Sequence, residues 1–300
     1  MIKTLKRLFP YFLQSMDWGE LLNGIVFILL GMAFTYHYGY QVYWKNFIQI
    51  VLWFMFYKAG IYCLTAIFTN TLSRVPLDGG FGRLSPAQFR ILLERFLWII
   101  AILFIAMSLV PLAQMIGEDR LNRLTLLIIA LIYLGDLLFL IDKTRELLCG
   151  FQELFYGFVT AFLLPSLFFS FTRDYLKVSL IMIAFPLFLQ LIAWKVCNNL
   201  EIKRVLKRIP AGSMLERLDA LNGLSVTTTL LLLGSITVFL DQELLPLWSK
   251  LVILPAGLLS AWLVFRSIKK QEPNWDWALL IVRMLPAVSA LIMFVGLWNH

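Results

Sequence analysis

Charge is scarce in this chain. Of 300 residues only 15% are Asp, Glu, Lys or Arg, against about a quarter in an ordinary soluble domain, while 60% are apolar. That ratio excludes a soluble globule, and it excludes a disordered tail, which needs the opposite composition. Histidine numbers two, one of them the last residue, His300, so haem ligation or a histidine-built metal site lacks ligands. The three cysteines, Cys63, Cys149 and Cys197, are scattered, with no CxxC spacing. A disulfide scaffold and a zinc site are thereby excluded, and the cysteines read as small core residues. Alternating ten-residue strands are also missing, which argues against a transmembrane β-barrel. There is no low-complexity region.

What is present is apolar length. About 180 apolar residues, divided into the ~20-residue stretches that cross a bilayer core, suffice for about nine crossings. The runs fall at roughly 21–38, 47–69, 96–116, 124–141, 154–171, 178–197, 224–240, 246–265 and 278–298. The reading is an all-α, polytopic transmembrane bundle of about nine helices forming a single transmembrane domain over 1–300. Two connections are long, near 70–95 and 198–223. Both follow even-numbered spans, so they share a side with the N-terminus. Outside the spans, seventeen Lys and Arg lie on that side and six on the other. This asymmetry makes the N-terminus and both long loops cytoplasmic and points to a bacterial inner membrane. It also accounts for the net charge of +8 without any nucleic-acid partner. Asp17 and Glu20 interrupt the first apolar run, so no cleavable leader is expected. Leu5–Phe12, which mixes basic and apolar side chains, is expected to lie along the inner membrane surface.

Three stretches carry more than hydropathy. Thr69–Gln88 reads TNTLSRVPLDGGFGRLSPAQ, Cys149–Ser166 reads CGFQELFYGFVTAFLLPS, and Asn198–Gly223 reads NNLEIKRVLKRIPAGSMLERLDALNG. The first is similar to an NDxxD motif followed by Gly-Gly-x-Gly and Leu-Ser-Pro. The second is similar to an RGLGEL-type opening of helix five, and the third to an Asn-Asn-Leu-x-Asp loop. Together with the helix number and loop positions, they resemble the UbiA superfamily of intramembrane prenyltransferases, in the branch that makes menaquinone precursors. The resemblance implies nine helices and two Asp-rich cytoplasmic loops, after helices two and six, that hold Mg²⁺ on an allylic diphosphate.

The chain departs from that pattern at the acids. Aligned on Asn70, the first motif's acid positions carry Thr71 and Arg74. Aligned on Asn198 and Asn199, the second motif's carry Ile202 and Leu206, with Lys203 and Arg204 between them. Asp78, Glu201 and Asp219 stand nearby at other spacings. Mg²⁺ needs oxygen ligands to bridge a diphosphate. An arginine in place of a carboxylate costs on the order of several kcal/mol of metal affinity by Coulomb's law. The expectation is therefore no cofactor, with Mg²⁺ only if the chain is an active enzyme, and no metal-ligating or catalytic residue is singled out.

The candidate ligand-binding residues are Asn70, Arg74, Asp78, Asn198, Asn199, Lys203, Arg204 and Lys58. The basic residues could grip a diphosphate directly or form a solvated loop against anionic lipid headgroups. The asparagines could orient a ligand or cap helix ends. Gly79, Gly80 and Gly82 could cradle phosphate, while Ser85 and Pro86 suit the N-cap and first turn of helix three. Four charges fall inside apolar spans: Lys58, Asp136, Lys195 and Arg283. Lys58 lies ~18 Å of helical rise from Asn70 and must be paired within the bundle or face a polar ligand. A contact between Arg283 and Glu20 is expected if helices one and nine are neighbours. The functional reading is a UbiA-like, catalytically degenerate membrane protein that binds an isoprenoid or quinone-like lipid or serves as a membrane-complex subunit. The alternative is an active prenyltransferase that uses Asp78, Glu201 or the basic loop. A small-solute transporter lacks support, since no inverted repeat is visible.

Overall fold

The computed structural model describes residues 9, 12–13, 16–68, 86–118, 121–141, 150–206, 213–216, 220–240, 244–269 and 275–299. Among them, nine helices are long and apolar enough to cross a membrane. They are α1 (Trp18–His37), α2 (Trp44–Phe68), α3 (Pro86–Gly117), α4 (Arg123–Leu140), α5 (Phe151–Ser170), α6 (Val178–Leu206), α7 (Ala220–Thr237), α8 (Leu247–Lys269) and α9 (Trp275–Trp298). No strand occurs among the described residues. All nine expected spans are found.

Local chemistry sets several helix ends. Asp17 caps α1 by accepting the Glu20 N–H at 3.1 Å, an Asp-x-x-Glu pattern that also puts two acids at the positive end of the helix dipole. Asn122 caps α4 by accepting the Thr125 N–H at 2.8 Å, and its amide donates to the carbonyl of Ser170 at the end of α5. α5 is not uniform: a π-helical turn over Val159–Leu163 separates its two α-helical halves.

Two helices run longer than the apolar runs indicated. α3 begins at Pro86, the first-turn proline of the sequence reading, about ten residues ahead of its apolar run, because its first turns are amphipathic: Phe89 and Leu93 are buried while Arg90 and Glu94 are exposed. α6 continues past Asn198 and Asn199 to Leu206, so these asparagines sit inside a helix and do not end it. The charged residues that follow them form helix well and can be solvated once the helix leaves the apolar layer.

The centre is built from α1, α5 and α6, whose spans are 72–78% buried. α1 packs on α9, on α5 and on α2, and α6 on α7, α9 and α5. Trp53, Trp194, Phe27, Phe34 and Phe169 fill the interior. Cys63 and Cys197 are buried as well. α3 is peripheral: it packs chiefly on α2, with Ser108 Oγ 3.2 Å from Tyr133 Oη of α4. The exposed faces carry Ile99, Ile102, Leu127, Leu134, Leu251 and Leu259, an apolar surface suited to lipid tails. Of the N-terminal stretch expected at the membrane surface, Phe12 is buried and stacks on Phe104 of α3 at 5.6 Å.

The α1–α5 crossing is the tightest against backbone. A Cβ at Gly31 would stand 2.4 Å from the Pro165 carbonyl oxygen and 2.7 Å from its Cα. Neither atom can swing away. Gly31→Ala should therefore cost about 1–3 kcal/mol and lower the thermal unfolding midpoint in detergent, whereas Gly117→Ala, with nothing within 4 Å, should leave that midpoint unchanged.

Candidate functional site

In an up-and-down bundle, the starts of odd helices and the ends of even ones share one end. At that end lie Asp17 and Glu20 of α1, Thr65 of α2, Leu140 of α4, Gln152 of α5 and Lys195 of α6. They line a cavity of about 240 Å³ together with Lys58, Ile61 and Tyr62 of α2, Asp136 and Phe139 of α4, and Phe155, Tyr156 and Val159 of α5. Five helices contribute. The lining mixes charged, phenolic, hydroxyl and amide side chains with Phe, Leu, Ile and Val.

The charges pair with one another. Lys58 Nζ, nearly buried, lies 2.9 and 3.1 Å from the two oxygens of Asp136 and 3.1 Å from Glu20 Oε1. Lys195 Nζ lies 3.3 Å from Glu20 Oε2 and 3.9 Å from Asp17 Oδ2. It also sits over the Tyr156 ring, 4.7 Å from the centroid. Arg283 Nη2 completes the chain at 3.4 Å from Asp17 Oδ1. The Arg283 contact thus falls on Asp17, one helical turn before the expected Glu20, because Lys58 and Lys195 already occupy both Glu20 oxygens. Each charge lies within reach of an opposite one, as an apolar layer demands.

A second polar knot lies at the same end. Glu153, fully buried in the first turn of α5, accepts from Asn199 Nδ2 at 2.8 Å, from the Ser213 hydroxyl, and from the Met214 N–H at 3.1 Å. Asn199 Nδ2 also lies 3.1 Å from Ser213 Oγ. This carboxylate ties residues 213–215 to the start of α5 and the last turns of α6, and its position three residues into α5 places it in the favourable field of that helix terminus.

Of the candidate residues, Lys58 lines the cavity, and Asn199 belongs to the Glu153 knot beside it. Asn198 and Lys203 are half-buried on the last turns of α6. Arg204 continues that helix, its side chain lying outside the described part, and Asn70, Arg74 and Asp78 lie outside the described residues. Sequence reasoning passed over Gln152 and Tyr156. Their signal was a polar pair at i and i+4, one face of an otherwise apolar helix.

The cavity's carboxylates face ammonium groups. Among the described residues no three His, Cys, Asp or Glu side chains come together as a metal site. Asp136 and Glu20 direct their oxygens at lysine ammonium groups about 3 Å away, which a divalent cation would have to displace.

No protein-family profile matches the chain, and no curated protein sequence does. Its architecture does have solved counterparts. It superposes on a digeranylgeranylglyceryl phosphate synthase of membranes with a TM-score of 0.62 and 12% identity, over 99% of this chain and 100% of that one. It superposes on a UbiA homologue from Archaeoglobus fulgidus bound to Cd²⁺ at 0.57 and 14% identity, over 94% of this chain and 100% of that one. The same homologue bound to DMAPP and Mg²⁺ gives 0.58 and 15% identity, over 95% and 99%. The fold is UbiA-like. Full coverage in both directions means that the UbiA-like helix order is retained from α1 to α9.

The ion pairs make a sharp stability prediction. Lys58→Met strands the Asp136 carboxylate and should cost about 3–5 kcal/mol. Lys58→Met combined with Asp136→Leu should recover most of the loss, since Glu20 keeps Lys195. Denaturation midpoints of the purified single and double variants in detergent measure both.

Proposed function

We propose that this chain is a UbiA-like integral membrane protein that holds an isoprenoid or quinone-like lipid in the cavity between α1, α2, α4, α5 and α6, and that it does not carry out magnesium-dependent prenyl transfer there. The observation that carries the reading is the cavity's mixed lining, in which paired charges, phenols and an amide stand among aromatic and aliphatic side chains. A polar head on an apolar tail suits such a lining. The structure of an A. fulgidus homologue of the same fold with DMAPP supports an isoprenoid as the ligand class. The self-paired carboxylates argue against metal-assisted ionisation of a diphosphate, which needs carboxylate oxygens free to hold the metal. The charge asymmetry of the connections supports a cavity mouth on the cytoplasmic side.

The size of the cavity limits what it can hold. At about 240 Å³ it falls below the ~300–1,000 Å³ of a pocket that encloses a whole drug-sized ligand. It therefore takes a head and the first part of a tail. The remainder leaves past Phe139, Leu140 and Phe155 on the α4 side, where 33% of the span is buried against 61–78% in the other four cavity helices.

Native mass spectrometry of gently solubilised protein should show a one-to-one adduct in the isoprenoid-lipid mass range. Incubation with prenyl diphosphates and aromatic acceptors should give no more product with Mg²⁺ than with EDTA. Magnesium-dependent turnover would overturn the proposal.

A further inference from the structure

The hydrogen-bonding capacity of the cavity wall is lopsided, and this specifies the head group. An ionised carboxylate offers about four lone-pair directions, so Asp17, Glu20 and Asp136 together offer far more than their neighbours fill. Among the described residues, Asp136 meets Lys58 with one contact per oxygen and has the Tyr57 hydroxyl beside it, and Glu20 has one lysine contact on each oxygen. The described contact of Asp17 Oδ2 is Lys195, at 3.9 Å. On the donor side, Lys58 has three N–H groups for three oxygen contacts at 3.1 Å or less. Two further polar groups of the lining stand without a bond among the described residues. Tyr156, more than nine-tenths buried, lines the cavity, and its hydroxyl has no hydrogen bond of good geometry although Asn23 and Thr160 lie beside it. Gln152 Oε1, buried one turn earlier on the same face, also has no partner. The surplus of acceptors rests on the carboxylates and holds for either orientation of the Gln152 amide.

Charge agrees with this tally. The side chains lining the cavity carry three carboxylates and two ammonium groups, with Arg283 at the rim bringing the network to neutrality. An anionic head would find no net positive charge to offset its desolvation, and a head with only acceptors would leave Gln152 and the spare carboxylate lone pairs desolvated and unmet, at a cost in binding.

We infer that the cavity selects a lipid whose head is uncharged and donates hydrogen bonds through hydroxyl groups, in preference to a quinone or a diphosphate with a comparable tail. This rests on the lipid-binding reading above. Such a hydroxyl donates to Gln152 Oε1 or a carboxylate and accepts from Tyr156, satisfying both unpartnered groups. The chemistry has two sources, a quinol or a prenyl alcohol, and both are hydroxyl-headed.

The test is equilibrium binding to the full-length protein in nanodiscs, read by tryptophan fluorescence under anaerobic conditions. The probes are a short-chain benzoquinol and its quinone, and geranylgeraniol and its diphosphate. At least one hydroxyl-headed probe should bind tenfold or more tightly than its partner, and which one does so names the source. Gln152→Leu should reduce that preference several-fold, through a larger loss of affinity for the hydroxyl-headed probe than for its quinone or diphosphate partner. Tyr156→Phe provides a second arm should Gln152→Leu fail to fold. Equal or tighter binding of the quinone and the diphosphate would overturn the selectivity while leaving lipid binding intact. Binding of none of the four would remove the lipid-binding reading and the selectivity together.

Discussion

Lys58 sits within an apolar layer where a lone ammonium group is costly, and Glu20 and Asp136 hold it at about 3 Å from either side. Because the three charges belong to α1, α2 and α4, that single requirement fixes the mutual depth of three helices. α4 leans on it strongly, since much of its surface faces lipid and its other polar ties lie at its middle, where Tyr133 meets Trp53 and Ser108, and at its opposite end, where Asn122 reaches Ser170 and Thr125 meets the Ser170 hydroxyl at 2.8 Å. Lys195 and Arg283 extend the pairing to α6 and α9. With the charges matched in this way, a polar-walled cavity can exist inside a bundle whose outer surface is Leu, Ile and Val.

The arrangement separates two properties of the UbiA-like fold that are easily conflated. The fold supplies a hollow between helices that opens toward one end. What the hollow can do depends on whether its charged groups face one another or a ligand. Here the carboxylates that line the cavity face lysines, and Glu153 beside it is spent on holding the chain at 213–215 against α5 through Asn199, Ser213 and Met214. Asn199 is thus a structural tie beside the cavity, a role that its place in an Asn-Asn pair did not distinguish from ligand contact.

The helices were legible in the sequence because twenty-residue apolar runs leave few alternatives in a bilayer. Where they failed, they failed at the membrane surface. The first turns of α3 bury only Phe89 and Leu93 on one side, and the last turns of α6 are polar, so neither reads as an apolar run. Lys58, Asp136, Lys195 and Arg283 stood out as charges in apolar spans, but their pairing did not. Asp17 and Glu20 lie one turn apart on α1, and which of the two Arg283 meets depends on what Lys58 and Lys195 have already taken. Gln152 and Tyr156 were hidden for a different reason: uncharged polar side chains are common in membrane helices, and only the neighbouring carboxylates make them informative.

The π-turn of α5 has a consequence for how one helix serves two masters. Each residue of an α-helix advances the azimuth by about 100°. A turn over Val159–Leu163 with i→i+5 bonding lodges one residue that the regular spiral would not hold. The half carrying Gln152 and Tyr156 is thereby out of phase with the half that sets Pro165 against Gly31 and Phe169 against Phe34 at 5.4 Å. Excising a single residue from that turn would straighten the spiral and force a choice: either the lumen keeps its polar lining or the far end keeps its seam with the first helix.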